Sequence, residues 1–246
     1  MKLSEIFMQL TYGELSQISI GGLEQGEINE KNYDAVLSHI NLGLTALYKR
    51  FPLKEGRLVV ELQPGRSTYP LTTAYAMSNT ASLEPVKYIK DTDVPFNGAL
   101  HKVEQVFSES GIEFGLNDSG NIYGVTTPSA SVLRVPMAVV GRSTDLPIGL
   151  QTSTLEVVYR ANHPIIVQSG SFNPETYEVE LPYSHLEPLL LYVASRVNNP
   201  IGLINEFNAG NNYAAKYEMA CQALETSNLR VDQGADFDKL HQKGFV

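Results

Sequence analysis

Apolar positions along the chain recur with two different periods. Between residues 33 and 51, Tyr33, Val36, Leu37, Ile40, Leu44, Leu47, Tyr48 and Phe51 follow one another at steps of three, one and four. That spacing draws one stripe along a helix of 3.6 residues per turn. Asn29 is the expected N-cap, and Phe51 precedes Pro52, whose ring keeps its predecessor out of the helical region. A helix of about 22 residues at 1.5 Å each would be about 33 Å long. A shorter helix is expected near the start, capped by Ser4, with Ile6, Phe7 and Leu10 on one side and an end near Gly13. Gly21-Gly22-Leu23-Glu24-Gln25-Gly26 between them reads as a loop.

From Arg57 to about Leu181 the period shortens. Arg57–Leu62 is strand-like, and Pro64-Gly65 makes a turn before Ser67–Leu71. Further strands are expected at Val86–Lys90, Lys102–Phe107, Asn121–Val125, Ser131–Val135, Leu155–Arg160 and Tyr177–Leu181. Thr72–Ser82 is ambiguous in pattern, with room for a short helix. Short strands at this spacing, with turn residues such as Asn117-Asp118-Ser119-Gly120 between them, suggest a small antiparallel sandwich or barrel-like sheet.

Helical spacing returns after Pro182. Ser184 and Glu187 fit a capping box, Pro188 falls in the first turn, and Leu186, Leu189, Leu190, Val193 and Val197 form a stripe that stops at Asn198-Asn199-Pro200. A last helix is expected from about Asn205 to Glu225, with Tyr213, Tyr217, Ala220 and Leu224 on one side. Each terminal helix has a single apolar face, so the helices of the two ends must meet to bury it. The expected fold is therefore α+β, a helical layer from the N- and C-terminal segments with a central antiparallel β domain inserted. The expected boundaries are 1–55 (helical), 56–182 (β-rich), 183–229 (helices packing with the first segment) and 230–246 (a polar docking tail). There is no internal repeat.

Composition narrows the choice of function. The 246 residues are 43% hydrophobic and 18% charged, with one cysteine, Cys221. A chain this long buries about 70–75% of its unfolded surface and folds without disulfides or metal. Cys221, in a helical context, reads as an inert thiol. The net charge of −9, from 18 basic against 27 acidic residues, leaves few cations for neutralising phosphates, which argues against tight non-specific nucleic-acid binding. The longest apolar run, Leu189–Ala194, is far too short to span a membrane, and Glu5 and Gln9 interrupt the apolar pattern that a signal peptide needs. Thirteen tyrosines and no tryptophan suit subunit contacts as well as cores.

No motif marks an active site. G-x-S-x-G, the phosphate loop G-x-x-x-x-G-K-[ST] and G-x-G-x-x-G are all missing. His39, His101, His163, His185 and His241 do not pair at metal-ligand spacing. Asp91 with Asp93, Asp118 beside Asn117, and Asp232, Asp236 and Asp238 are acid clusters, but none matches a calcium loop. The expectation is a protein that is not an enzyme, with no catalytic residue, cofactor or metal.

One resemblance carries further. Gln63–Leu71 is similar to an opening β hairpin of phage connector and virion proteins, and Leu155–Pro164 is the most specific piece. Val179–Pro182, Leu189–Val197, Tyr217–Cys221 and Gly244–Val246 continue it. In this order they resemble the head–tail connector (adaptor) proteins of short-tailed bacteriophages, over most of the chain. The resemblance implies a virion structural protein at the head–tail junction, assembled in the host cytoplasm. It further implies a homo-oligomeric ring, a dodecamer, between the portal protein and a downstream nozzle or tail-tube protein. DNA would pass through the channel without sequence-specific binding, and no membrane is involved. Phe237, Leu240, Phe245 and Val246 would be the anchors on the portal or a neighbouring subunit. Two other readings are a receptor- or glycan-binding β module of a phage tail and a virion-associated cell-wall hydrolase. The terminal helices and missing repeats weigh against the first, and the missing motifs leave no positive reason for the second.

Overall fold

A computed structural model describes residues 1–16, 27–144, 146–168, 172–198 and 204–227. In chain order these hold α1 (Leu3–Tyr12), α2 (Tyr33–Arg50), β1 (Glu55–Glu61), β2 (Thr68–Pro70), β3 (Ile89–Lys90) and β4 (Leu100–Ser108). Next come β5 (Thr126–Ser129), β6 (Val132–Arg134), α3 (Met137–Val140) and β7 (Thr154–Ala161), then α4 (Leu186–Val197) and α5 (Ile204–Thr226). The fold is α+β, and every strand pairing is antiparallel.

The chain divides into two compact units, one of Met1–Leu53 with His163–Val246, the other of Lys54–Asn162. An inserted unit needs its two ends side by side. Here β1 and β7 pair along their whole length, from Glu55↔Arg160 to Glu61↔Thr154, and Ala161 N–H donates to Lys54 O at 2.9 Å. Entry and exit of the insertion are thereby fixed as neighbours.

In the helical unit α1 buries Leu3, Ile6, Phe7 and Leu10, and α2 buries Val36, Leu37, Ile40, Leu44, Leu47 and Tyr48. These faces join Leu189, Val193 and Ala194 of α4 and Tyr217 and Cys221 of α5 in one core. Each fully buried Leu or Ile there contributes about 1.5–3 kcal/mol. Gly43 lets α4 come close to α2, since a Cβ there would sit 2.7 Å from Leu189 Cδ1.

The β unit holds a four-stranded sheet, ordered β3-β1-β7-β4, and a three-stranded sheet, ordered β2-β6-β5. Both feed one core. Leu58, Val60, Leu155, Val157, Tyr159, Val103 and Val106 face Tyr69, Leu133 and Val125. The opposite side of the larger sheet carries ion pairs, Arg57–Glu156 at 2.9 Å and Arg160–Glu104 at 2.7 Å. This is the one-sided alternation that an antiparallel sheet with a single buried face requires.

Several boundaries differ from those expected. Residues 163–182 cluster with the helices, so the β-rich span ends at Asn162 rather than at 182. Tyr177–Leu181 is extended, but its backbone pairing is with the start of the chain, through the Lys2↔Glu178 bridge and the Val179 N–H to Met1 O bond at 2.8 Å. Asn121–Val125 is mostly turn: Asp118 Oδ1 and Asn121 Oδ1 accept from the N–H groups of Gly120 and Tyr123, and such local bonds outcompete a ladder. The strand lies just beyond, at Thr126–Ser129, where Pro128 hides it from pattern reading. Of Val86–Lys90 only the last two residues are strand, and Thr73–Tyr75 is a single 3-10 turn. Three caps move as well. α1 begins beyond Lys2, whose N–H donates to Glu5 Oε2 at 3.2 Å, and Ser4 lies inside it. α2 begins beyond Asn32, because Asn32 Oδ1 accepts from Asn29 N–H at 2.8 Å and closes a turn before the helix. Ser184 sits in a 3-10 turn, Tyr183–His185, and caps nothing.

Candidate functional site

The titratable groups singled out by sequence are dispersed and mostly structural. Asp91 is buried, and its carboxylate accepts Ser78 N–H at 2.9 Å, Ser78 Oγ–H, and Phe96 N–H at 2.8 Å. Burial alone would raise its pKa, but these hydrogen bonds outweigh it and hold the carboxyl below the usual range. Asp91 thus closes the 91–96 loop, while Asp93 points to solvent. Asp118 is exposed and turn-forming.

The histidines also fill structural places. His163 is buried with its ring edge-on to Tyr48, centroids 5.6 Å apart. Its Nδ1–H donates to Pro164 O at 2.5 Å and its Nε2 accepts Glu180 N–H at 3.3 Å, which defines the neutral tautomer. His185 is 2% exposed, packs edge-on to Phe51 at 4.7 Å, and shares a 3.0 Å contact between Nδ1 and Ser184 Oγ, while its Nε2 meets no acceptor. Desolvation lowers its pKa. His39 on α2 is half-buried. Burial first, and then the Arg196 charge, lower its pKa. His101 is half-buried on β4. Among the described residues no three His, Cys, Asp or Glu side chains converge to hold a metal ion. No helix among them is long and apolar enough to cross a membrane.

Cys221 is fully buried, and desolvation pushes its thiol pKa up, so it is a poor nucleophile in the native state.

Two surface features stand out among the described residues. In the helical unit an open groove of about 660 Å³ lies between the start of α4 and the second half of α5. Pro188, Leu191, Met219, Ala220, Ala223 and Leu224 are its apolar lining, and Glu14, Glu187, Lys216, Ser184 and Ser227 its polar one. In the β unit Arg66 lies over two tyrosine rings, 4.8 Å from the centroid of Tyr88 and 5.2 Å from that of Tyr75. Tyr69 locks the Gln63–Arg66 turn beneath by donating to Arg66 O at 2.8 Å and accepting Gln63 N–H at 2.9 Å. Sequence reading expected a β hairpin at Gln63–Leu71 and did not foresee this platform; the turn instead links β1 and β2, which lie in different sheets and pair with β7 and β6. Tyr75 and Tyr88 lie far from Arg66 in sequence, and no local pattern joins them.

Phe237, Leu240, Phe245 and Val246, the anchors expected from the resemblance, lie outside the described residues, as do Asp232, Asp236, Asp238, His241 and the Gly21-Gly22 loop. No protein-family model matches the sequence, and no curated protein matches it either.

Proposed function

We propose that this chain is a non-enzymatic structural subunit, one copy in the head-to-tail connector ring between the portal and the tail of a short-tailed bacteriophage. The observation that carries the reading is where large apolar side chains remain in solvent. Leu83 (99% exposed), Ile148 (90%), Val94 and Ile122 project from loops of the β unit, and Tyr12 (82%), Met8 and Leu42 from the helical unit. A ring subunit must present different patches to its two neighbours and further ones to the components above and below. The resemblance adds the partners: the portal on one side and a nozzle or tail-tube protein on the other, with DNA passing through. Its most specific block, Leu155–Pro164, forms β7 and the second crossing between the two units.

The reading is tested by mass photometry of the purified protein, alone and mixed with the portal ring of its own phage. Addition to the portal in a fixed multiple equal to the portal's subunit count is expected. A protein that ignores the portal overturns the reading.

A further inference from the structure

We propose that Asn97 is a self-modifying site, at which the folded chain loses ammonia through a succinimide and gains a carboxylate in the loop before β4. This does not rest on the connector reading. Asn97-Gly98 is the sequence's one asparagine–glycine pair. Both residues are exposed, just past Phe96, whose N–H is tied to Asp91 Oδ2 at 2.8 Å. Gly98 has a φ of +77°, a left-handed conformation that glycine adopts freely. Among the described residues its N–H meets no acceptor, and it carries no side chain to crowd that nitrogen. Ala99 N–H donates to Asn97 Oδ1 at 2.9 Å.

That hydrogen bond closes a turn whose ring contains Asn97 Cγ and Gly98 N, the atoms that a succinimide joins. It also draws electron density from Cγ, as a donor does when aimed at an oxygen that gains negative charge. The reaction balances with water alone. Gly98 N gives its proton to hydroxide and bonds to Asn97 Cγ. The Cγ–Nδ2 bond then breaks, and ammonia leaves with a proton taken from water. Water next adds to either imide carbonyl and releases Gly98 N, which recovers its proton. Release from Cγ leaves aspartate, whereas release from the main-chain carbon leaves an isoaspartyl link, longer by a CH2. The second product lengthens the chain between Phe96, held by Asp91, and Leu100, whose N–H donates to Gly98 O at 2.8 Å where β4 begins.

Ageing of the full-length protein in mildly alkaline buffer without denaturant, followed by peptide mapping with mass spectrometry, tests this. The peptide that carries Asn97 should change from amide to acid about tenfold faster than peptides that carry any other asparagine. In water labelled with heavy oxygen the product should take up a single label, and isoaspartate should accompany aspartate. Asn97→Gln, whose side chain is too long for this ring, should remove the change from that peptide. Modification that occurs only in urea, or that appears first at another asparagine, overturns the proposal. Persistence of the change in Asn97→Gln, or a product free of isoaspartate, overturns it too.

Discussion

Arg50, in the last turn of α2, grips Glu225 near the end of α5: Nε donates to Oε1 at 2.8 Å, and Nη1 donates to Glu218 Oε2 at 2.7 Å. Glu218 and Glu225 are two helical turns apart and so share one face. A guanidinium can reach both because its donors fan out in a plane; an ammonium cannot. The hydrogen bond to Glu225 is the main reason that the Arg50 pKa is raised further. Besides this clamp, α5 packs on the helical core through buried Tyr217 and Cys221 and partly buried Tyr213, Ala220 and Leu224.

Arg50→Ala should therefore loosen α5 before the rest of the unit. The paired groups are partly exposed, which discounts the usual value of charged hydrogen bonds to a loss of about 1–2 kcal/mol. Cys221 is the reporter. Its buried thiol should resist an aromatic disulfide reagent in the unaltered protein and react at least severalfold faster in the variant. Arg50→Lys should fall between the two, and salt should narrow the difference.

Acid should weaken the two units in different windows. His39 and His185 have folded pKa values below their ordinary 6.5, so the unfolded chain binds more protons below that value. Stability of the helical unit is then complete above about pH 6.5 and declines as pH falls toward the lowered folded values. Asp91 has its folded value below 3.8, so its contribution to the β unit persists to lower pH and is lost only as pH falls below 3.8. Peptide-resolved hydrogen exchange between pH 7 and pH 5 should show the helical unit losing protection first. His185→Phe should flatten that slope.

Asp91→Asn should cost the β unit about 2–3 kcal/mol, because the amide keeps the shape but loses charge-assisted acceptance from Ser78 and Phe96. Urea denaturation of variant and parent measures it. An unchanged midpoint would show that the 91–96 loop is not held by this carboxylate.

Gly56→Val should destabilise by about 1–3 kcal/mol, since a Cβ at this position would lie 2.2 Å from Cζ of Tyr159, its cross-strand neighbour. Tyr159 cannot swing away freely, being buried edge-on to Phe96 at 5.9 Å. The cost should shrink in a Tyr159→Ala background, and a double-mutant cycle reads the coupling directly.

Legibility followed the range of the interactions. α2 and β7 were visible because an unbroken apolar period runs through each, and α5 came within a residue or so of its expected ends. The cap of α2 was misplaced because two candidates, Asn29 and Asn32, stand near each other, and a hydrogen bond between them decided which one closes the turn. Thr126–Ser129 escaped because its proline argues against a strand, and its only described strand partner is β6. The α4–α5 groove could not be read at all. Its lining comes from two helices, from Ser184 and Ser227 beside them and from Glu14, and nothing in one helix's period tells which part of it a neighbour will leave uncovered.

By itself the sequence determined the α+β class, the long amphipathic helices on either side of the β strands, and a charge balance poor in phosphate-neutralising cations. These are properties of local period and composition, which each segment carries alone. The tertiary structure decided the return boundary at Asn162, the burial of His163 and His185, the Arg50 clamp on α5 and the Arg66 platform on Tyr75 and Tyr88. Each of these joins residues distant in the chain, and such pairings form only when burying apolar faces selects one packing among many.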